Sequence, residues 1–294
     1  MASRPRSGFS PVDLRCPLCC NTDFHDRPGG WRECTHCEAA FDHSAITDPD
    51  GARRSLWAHA TGALLPSGIV LNPVAERNLD FATTRAGARS VNITLAAIAR
   101  PTEVESFLKA TAPIAEFFAE RLIVVDAASA AADRLSGVRV LARPLAGDFA
   151  AQRNFLMDAV HSDWVLQLDT DESLTPDNAR QALVLAERAK TQGLRALGLP
   201  RRNFVDGVLA SLYPDIQYRL LRNDVRFSGV VHERPVVAFE DTALGLSCPI
   251  DHALSRDRVR ERSAQYAAMA ADGERLQDEA ALLEPMPERW MAFL

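Results

Sequence analysis

Three carboxylates directly follow an apolar segment near the middle of the chain. Residues 164–168 (Trp-Val-Leu-Gln-Leu) lead into Asp169, and Thr170 separates this residue from Asp171 and Glu172. Two aspartates that flank one residue can hold a hard divalent ion, and such an ion neutralises a bound diphosphate. A strand that ends in a solvated acidic turn is the simpler alternative, and the Asp-Thr-Asp triplet by itself leaves it open.

The sequence around these acids alternates between strand and helix patterns. Four short apolar runs have the length and composition of buried strands: residues 91–96, 122–126, 138–141 and 164–168. Helical patterns lie between them, with predicted N-caps at Asp148 and at Thr175, which precedes Pro176. This alternation predicts an α/β fold in which helices flank a mostly parallel sheet. Because ligands bind at the carboxyl ends of parallel strands, we expect Asp126 and Asp169 at one edge.

The segment after the first predicted strand has a helix-start pattern. Thr102 and Glu105 form a predicted capping box, and Pro113 is expected to kink or end the helix. The chain has no G-x-G-x-x-G after that strand and no G-x-x-x-x-G-K-[ST]. Dinucleotide and P-loop sites therefore lose their main support.

Most cysteines lie close to the N-terminus, in two C-x-x-C pairs. Cys16 and Cys19 form one pair, and Cys34 and Cys37 form the other. Two such pairs can surround one Zn²⁺, and four thiolates leave no open position for catalysis. The spacing therefore predicts a structural zinc ribbon with its hairpin turn at residues 28–30. A redox dithiol is the alternative.

Composition restricts the partners and the compartment that we expect. The 294 residues carry a formal net charge of -6, which argues against broad nucleic-acid binding. No apolar run is long enough to span a membrane, and the N-terminus lacks the apolar core of a secretion signal. We expect a cytoplasmic protein that can contact the inner face of the membrane through a local patch.

The predicted organisation has four parts. These are a zinc-ribbon-like module (1–45), a linker (46–90), the α/β domain (91–254) and a C-terminal helical extension (255–294).

Several motifs in the α/β region occur in an order that is informative. They are residues 123–126 (Ile-Val-Val-Asp) with Ser129, 149–154 (Phe-Ala-Ala-Gln-Arg-Asn), 168–172 (Leu-Asp-Thr-Asp-Glu), 217–222 (Gln-Tyr-Arg-Leu-Leu-Arg) and 227–233 (Phe-Ser-Gly-Val-Val-His-Glu). In this order they resemble family 2 glycosyltransferases with the GT-A fold, over residues 91–273. The later motifs are similar to the bacterial branch that adds sugars to the lipopolysaccharide core or to related envelope glycans.

The resemblance implies a metal-dependent, inverting transfer of a sugar from a nucleotide-diphospho-sugar to a glycan or lipid-linked acceptor. It implies that Asp126 contacts the base or ribose and that Arg153 lies near the diphosphate or base. Asp169 and Asp171 would hold the nucleotide and a Mg²⁺ or Mn²⁺ ion. His252 would lie beside the metal and the diphosphate.

The resemblance also implies a general base. Glu233 would remove the proton from the acceptor hydroxyl. Each implied role has a structural alternative. These alternatives are a strand-end turn for Asp126, a surface pair with a helix acid for Arg153, a pairing of Glu233 with Arg219, and a hydrogen-bonded strand position for His252.

The sequence departs from the family pattern on the nucleotide side. In family members, the first strand is followed by a proline-threonine-tyrosine-asparagine-glutamate type segment. This chain instead has Ala-Ala-Ile-Ala-Arg at residues 96–100. Ala127 replaces the usual second acid after Asp126. A non-catalytic glycan- or partner-binding protein built on a degenerate transferase domain therefore stays open. A nucleotidyltransferase is a third hypothesis, although the sequence lacks the glycine-rich basic loop that it normally needs.

Overall fold

The fold is described from a computed structural model. It describes residues 14–17, 22–27, 30–35, 40–41, 43–49, 51–52, 65–66, 91–130, 132–213, 215–229, 234–238, 241–269 and 276–288.

The strands and helices of the described residues are as follows. The strands are β1 (Phe24–Arg27), β2 (Trp31–Cys34), β3 (Ala40–Phe41), β4 (Leu65–Pro66), β5 (Ile93–Ala99), β6 (Glu120–Val125), β7 (Arg134–Leu135), β8 (Val138–Ala142), β9 (Trp164–Gln167), β10 (Glu172–Ser173), β11 (Ala196–Val205), β12 (Val208–Leu209), β13 (Ile216–Arg222), β14 (Phe227–Ser228), β15 (Arg234–Pro235), β16 (Thr242–Leu244) and β17 (Ile250–Leu254). The α-helices are α1 (His43–Thr47), α2 (Val104–Thr111), α3 (Phe149–Ala159), α4 (Pro176–Thr191), α5 (Arg256–Met269) and α6 (Leu276–Leu283).

One large mixed sheet organises the fold. Its main path runs β10-β17-β11-β13-β9-β5-β6-β8-β7. The pairs β9–β5, β5–β6, β6–β8 and β11–β17 are parallel. Strand β13 is antiparallel to both β11 and β9, so β11 runs in the same direction as β9. The predicted α/β fold with a mostly parallel sheet is confirmed at this level, and on the main path β13, β10 and β7 are the reversed strands.

Helices cover both faces of this sheet. In β5, Leu95 and Ala97 belong to the buried cluster that contains Ala182 of α4. Ala96 belongs to the opposite cluster, which contains Leu156 of α3. This alternation follows from the two-residue period of a strand, and it explains why a strand buried on both faces is apolar throughout.

The predicted starts of the helices beside the site are confirmed. The Asp148 carboxylate accepts a hydrogen bond from the Ala151 N–H at 2.8 Å, at the start of α3. Thr175 Oγ1 accepts from the Asn178 N–H at 3.1 Å, and Pro176 is the first residue of α4. These caps satisfy N–H groups that the first turn leaves without partners.

The capping box predicted at Thr102 and Glu105 is wrong. A 3₁₀ turn (Pro101–Glu103) begins two residues before the predicted helix start, and a Glu103 carboxylate oxygen accepts from the Arg100 N–H at 2.9 Å. The fixed φ of a proline favours the first turn of a helix, which explains the earlier start. Pro113 lies in a second 3₁₀ turn (Ala112–Phe117) after α2 ends, so the predicted break is confirmed.

The N-terminal residues form a small antiparallel sheet. Strands β1 and β2 pair as a hairpin, with Phe24 opposite Cys34, and β3 pairs with β2. The hairpin predicted around residues 28–30 is therefore confirmed, and Gly30 adopts a φ of +82° beside it.

The cysteine module packs against the large sheet. Cys16 and Cys34 are buried in one cluster with Leu244 of β16. Cys19 and Cys37 lie outside the described residues, so the zinc ribbon stays a prediction. The boundary predicted at residue 45 falls inside α1, and β4 from the predicted linker pairs with β16.

Within the described part of the chain, no helix has the length and apolar character needed to cross a membrane.

Candidate functional site

The acidic turn after β9 lies beside β17. The Asp169 N–H donates to a Glu172 carboxylate oxygen at 3.0 Å, which closes the turn. Glu172 then begins β10 and lies opposite His252 in the antiparallel pair with β17. The backbone N–H of Ala253 donates to the Asp171 carbonyl at 3.0 Å. This pairing places Asp171 next to His252, although the two residues are far apart in sequence.

The acids divide into two groups with different partners. The inner cluster consists of Asp169, Glu172, Asp215, Arg153, Arg201 and Arg219. The outer cluster consists of Asp171, His252, Arg258 and Arg262.

Arg219 of β13 joins the two inner acids of the turn. Its Nη2 group donates to Asp169 Oδ2 and to Glu172 Oε1, the latter at 2.7 Å. The Glu172 side chain has no exposed area, and its Oε1 atom also lies 3.2 Å from Nη1 of Arg201. A buried carboxylate is stable only when charged donors surround it. Both arginines therefore hold the turn in place.

A second chain of contacts runs from Arg201 to the outer cluster. Arg201 Nη2 lies 2.6 Å from Asp215 Oδ2, and Asn203 Nδ2 donates to the same oxygen at 2.9 Å. The side-chain oxygen Oδ1 of Asn203 lies 2.7 Å from Nδ1 of His252. Asn203, Asp215 and His252 are all buried, and Asp215 has a φ of +37°. Asn203 therefore fixes the orientation of the His252 ring.

Arg153 contributes to the inner cluster from α3. Its Nη1 group donates to Gln167 at 2.7 Å, and its Nη2 group lies 3.3 Å from Asp169 Oδ1. Its guanidinium carbon lies 5.6 Å from the centroid of the Phe227 ring. Arg153 is buried. The alternative of a surface pair with a helix acid is therefore wrong.

The arginines determine the ionisation of Asp169. Burial raises the pKa of this carboxyl, but Arg219 and Arg153 outweigh burial and hold the pKa far below its usual range. The same pairing raises the pKa of Arg219, against the opposing effect of burial. Asp169 is therefore a carboxylate at any physiological pH.

The outer cluster surrounds one oxygen of Asp171. Its Oδ2 atom lies 3.4 Å from Nε2 of His252, 3.0 Å from Arg258 Nη2 and 4.0 Å from Arg262 Nη1. This oxygen is buried, and no described group reaches it with hydrogen-bond geometry. Burial raises the pKa of Asp171, but His252 and Arg258 more than offset this and lower the pKa.

The outer cluster fits part of a divalent metal site. Mg²⁺ and its relatives at nucleotide sites use one or two protein carboxylates and complete their coordination with water and phosphate oxygens. Asp171 Oδ2 and His252 Nε2 suit this arrangement. Asp169 suits it less well because its oxygens face the buried Arg153 and Arg219, whereas the arginines beside Asp171 are partly exposed. The described residues contain no group of three or more His, Cys, Asp or Glu side chains placed to hold a metal.

Asp126 lies at the same edge but outside both clusters. It follows β6, which is separated from β9 by β5, so the two strand ends lie roughly 10 Å apart. Its Oδ1 atom accepts from the Leu145 N–H at 2.8 Å and holds the loop before α3. This contact supports the turn-residue alternative, and the contact with a base or ribose stays a prediction.

Strand β5 extends beyond the apolar run predicted at residues 91–96. Residues 96–99 lie inside β5, which ends at Ala99. The residues that follow are Arg100, Pro101 and Thr102. The departure from the family pattern stated for residues 96–100 therefore falls mostly within β5. Glu233 lies outside the described residues, and its role as a base stays a prediction.

The sequence motifs gave no role to Arg201, Arg258 or Arg262, and they indicated Arg219 only as a possible partner of Glu233. Arg201 and Arg219 lie inside strands of the sheet, where a charged residue has to find a partner. Arg258 and Arg262 are spaced by one helical turn, directly after the strand that carries His252. Both features are visible in the sequence and could have indicated an anion-binding surface.

Comparisons with known proteins give structural neighbours only. No family model and no curated protein matches the chain. A crystal structure of TarS from S. aureus is 11% identical, with a TM-score of 0.36 over 59% of this chain and 39% of that chain. TarS 1-349 in complex with UDP is 12% identical, with a TM-score of 0.35 over 59% and 65%.

A nucleotide-binding enzyme of another kind also matches. CMP:2-keto-3-deoxy-manno-octonic acid synthetase complexed with CTP is 14% identical, with a TM-score of 0.29 over 38% of this chain and 53% of that chain. The chain thus spans about two fifths of the length of the first TarS structure. Scores below 0.5 at these identities carry no argument about activity.

Proposed function

We propose that the chain is a glycosyltransferase that moves a sugar from a nucleotide-diphospho-sugar to a hydroxyl of an envelope glycan or lipid-linked acceptor. The observation that carries this proposal is the buried Asp171 oxygen, which faces His252 Nε2 at 3.4 Å, just past the carboxyl end of β9 in the parallel part of the sheet. Ligands of such sheets bind at this edge. The ordered sequence motifs support the same assignment.

The reaction needs stabilisation of a leaving diphosphate. The acceptor oxygen attacks the anomeric carbon, the bond to the diphosphate oxygen breaks, and a nucleoside diphosphate leaves with the bonding electrons. A divalent ion, when bound, would neutralise the charge that develops on that leaving group. Asp171 and His252 would hold the ion, and Asn203 would orient the histidine.

The acceptor proton needs a base on the opposite side of the sugar. We assign this role to Glu233 on the sequence resemblance. Glu233→Gln should lower transfer by about 10²- to 10⁴-fold, which is the usual contribution of a positioned acid or base. Donor binding should stay unchanged, because the base contacts the acceptor hydroxyl.

The experiment that tests this function is a donor panel. Purified protein is incubated with several nucleotide-diphospho-sugars and Mn²⁺, and release of the nucleoside diphosphate is measured with and without a chelator. We expect metal-stimulated release with at least one donor, and its loss in Asp171→Asn. Absence of both donor binding and turnover would contradict the transferase function and would support the non-catalytic glycan- or partner-binding protein. Donor binding without turnover, on candidate acceptors as well as water, would contradict the proposed catalysis but not the recognition of a nucleotide-sugar.

A structural Zn²⁺ in the cysteine module belongs to the same proposal. Cys16 and Cys34 are buried together near the large sheet, where such an ion would fasten the module. Metal analysis of the purified protein should find one zinc per chain, and Cys16→Ser with Cys34→Ser should lose it. Peripheral contact with the membrane, where lipid-linked acceptors lie, is also part of the proposal.

A further inference from the structure

The first residues of α5 carry four arginines, but only two of them face the site. Arg256, Arg258, Arg260 and Arg262 occupy alternate positions. Residues four apart share one face of a helix, so Arg258 and Arg262 project together. Both point toward Asp171 Oδ2. Nη1 of Arg260 instead lies 4.0 Å from Oδ1 of Asp257.

Two guanidinium groups share a single carboxylate oxygen in this arrangement. Each guanidinium has five N–H donors. Within the described residues, neither Arg258 nor Arg262 has another carboxylate partner. Their side chains are 43% and 41% exposed, whereas the Arg219 side chain of the inner cluster is 8% exposed. Each of these side chains is therefore partly open to solvent, where a ligand can reach it.

The charge balance favours an anion at this place. The described site sets five arginines (Arg153, Arg201, Arg219, Arg258 and Arg262) against four carboxylates (Asp169, Asp171, Glu172 and Asp215). The inner acids already have buried partners. The excess positive charge therefore lies on the exposed pair of α5, where an anion reaches it without breaking the inner cluster.

We propose that Arg258 and Arg262 bind the diphosphate of the donor and stabilise it as it leaves. This inference rests on the proposed transferase function and names two residues that the sequence motifs do not include. Arginine suits the role because its planar donors bind phosphate oxygens in pairs. In the ligand-free protein the two side chains pair with Asp171, and on donor binding they turn to the diphosphate. Asp171 then becomes available for a divalent ion.

The test uses inorganic pyrophosphate, which carries no base or sugar and so does not depend on the donor. Binding is measured by calorimetry in buffer freed of divalent ions by a chelating resin. We expect the wild-type protein to bind pyrophosphate, and Arg258→Ala with Arg262→Ala to bind it about 10- to 100-fold more weakly, since hydrogen bonds to charged groups have this strength. Thermal unfolding of each variant confirms that the fold is intact.

Arg260→Ala is the matched control, because it removes the same charge from the same helix on another face. Its pyrophosphate affinity should equal that of the wild type. Replacement of Arg258 and Arg262 by lysine should restore part of the affinity, since lysine keeps the charge without the paired donors. Wild-type protein that does not bind pyrophosphate, an unaffected double variant, or an equal loss in Arg260→Ala would each overturn the inference.

Failure of the transferase function is detected separately. If the double alanine variant loses pyrophosphate binding but no nucleotide-sugar is turned over, the arginine pair is an anion site of a protein with another activity. If turnover occurs and the double variant keeps both its pyrophosphate affinity and its turnover, the transferase proposal stands and the role of the arginines is wrong.

Discussion

The inner and outer clusters both pair acids with arginines, but they differ in how deeply those arginines are buried. The inner acids are held by arginines that come from β11, β13 and α3, and the Arg219 side chain is only 8% exposed. The outer acid meets arginines of α5 that are more than 40% exposed. Asp171 Oδ2 also lacks a described hydrogen-bond partner, whereas Asp169 and Glu172 accept from charged donors.

This difference separates structural acids from candidate ligand-binding acids within one Asp-Thr-Asp-Glu segment. A buried acid with complete partners has little to offer a metal or a diphosphate, because binding would first have to break those contacts. When the partners of an acid are exposed arginines that can rotate out toward solvent, their replacement by a ligand costs little free energy. We therefore expect inner substitutions to change stability and outer substitutions to change ligand binding.

The largest effect on stability is expected from Arg219→Ala. This substitution leaves Asp169 and Glu172 without their shared donor, and removal of one partner of a buried pair costs about 3–5 kcal/mol. The free energy of unfolding is measured by urea denaturation. Arg222→Ala, on the same strand but with a side chain 43% exposed, is the control and should change it by less than about 1 kcal/mol. Equal effects would remove the distinction between buried and exposed arginines.

Asp171→Asn is expected to lower turnover and leave stability almost unchanged, which is the opposite of the effect of Arg219→Ala on stability. Metal-stimulated release of nucleoside diphosphate should fall by about 10²-fold or more, as expected for loss of a group that stabilises developing charge. The free energy of unfolding should change by less than about 1 kcal/mol, since the exposed arginines regain water. Asp169→Asn is the comparison, and it should lower stability. If Asp171→Asn instead lowers the free energy of unfolding strongly and keeps its turnover, Asp171 is a structural acid and not a ligand-binding one.

Asn203 connects the two clusters, so its replacement should affect both. Asn203→Leu removes the contact to His252 Nδ1 and the donor to Asp215. We expect metal affinity to fall by about 10- to 100-fold, as is usual for a group that orients a metal-binding histidine. Isothermal titration with Mn²⁺ measures this. An unchanged affinity would show that His252 does not need Asn203 or does not bind the ion.

The smallest effect is a pH dependence that belongs to the inner cluster. The folded pKa of Asp169 is depressed, so its contribution to stability is complete above the ordinary value of 3.8 and is lost as the pH falls toward the folded pKa. The difference in unfolding free energy between the wild type and Asp169→Asn should therefore be constant near neutral pH and shrink below about pH 4. Urea titrations at several pH values test this. A difference that grows on acidification would contradict the depressed pKa.

Much of the fold was predictable because it depends on local patterns. Apolar strands, the caps at Asp148 and Thr175, and the break at Pro113 all depend on neighbouring residues. The capping box predicted at Thr102 is wrong because Pro101, the residue before it, is already the first residue of a 3₁₀ turn. Strand ends were predicted less well, and β5 extends to Ala99 rather than Ala96.

The partners of the site residues were harder to predict because they come from distant segments. The sequence pattern predicted that Asp169 and Asp171 follow the end of a strand, but it gave no reason to expect different partners or different roles for them. Only the tertiary structure brings Arg219 to one of them and His252 to the other. The pattern of a strand or helix indicates which face a residue occupies, and it does not indicate which residue of another element lies opposite.

Measurement of Mn²⁺ binding tests most directly the claim that Asp171 binds a metal ion whereas Asp169 is a structural acid. The free-ion signal in electron paramagnetic resonance is followed during titration of the wild type, Asp171→Asn and Asp169→Asn, each confirmed as folded. We predict that Asp171→Asn lowers the affinity for Mn²⁺ by about tenfold or more, as for the loss of a metal ligand or its supporting contact, and that Asp169→Asn stays close to the wild type. An unchanged affinity in Asp171→Asn, or a loss confined to Asp169→Asn, would contradict the account.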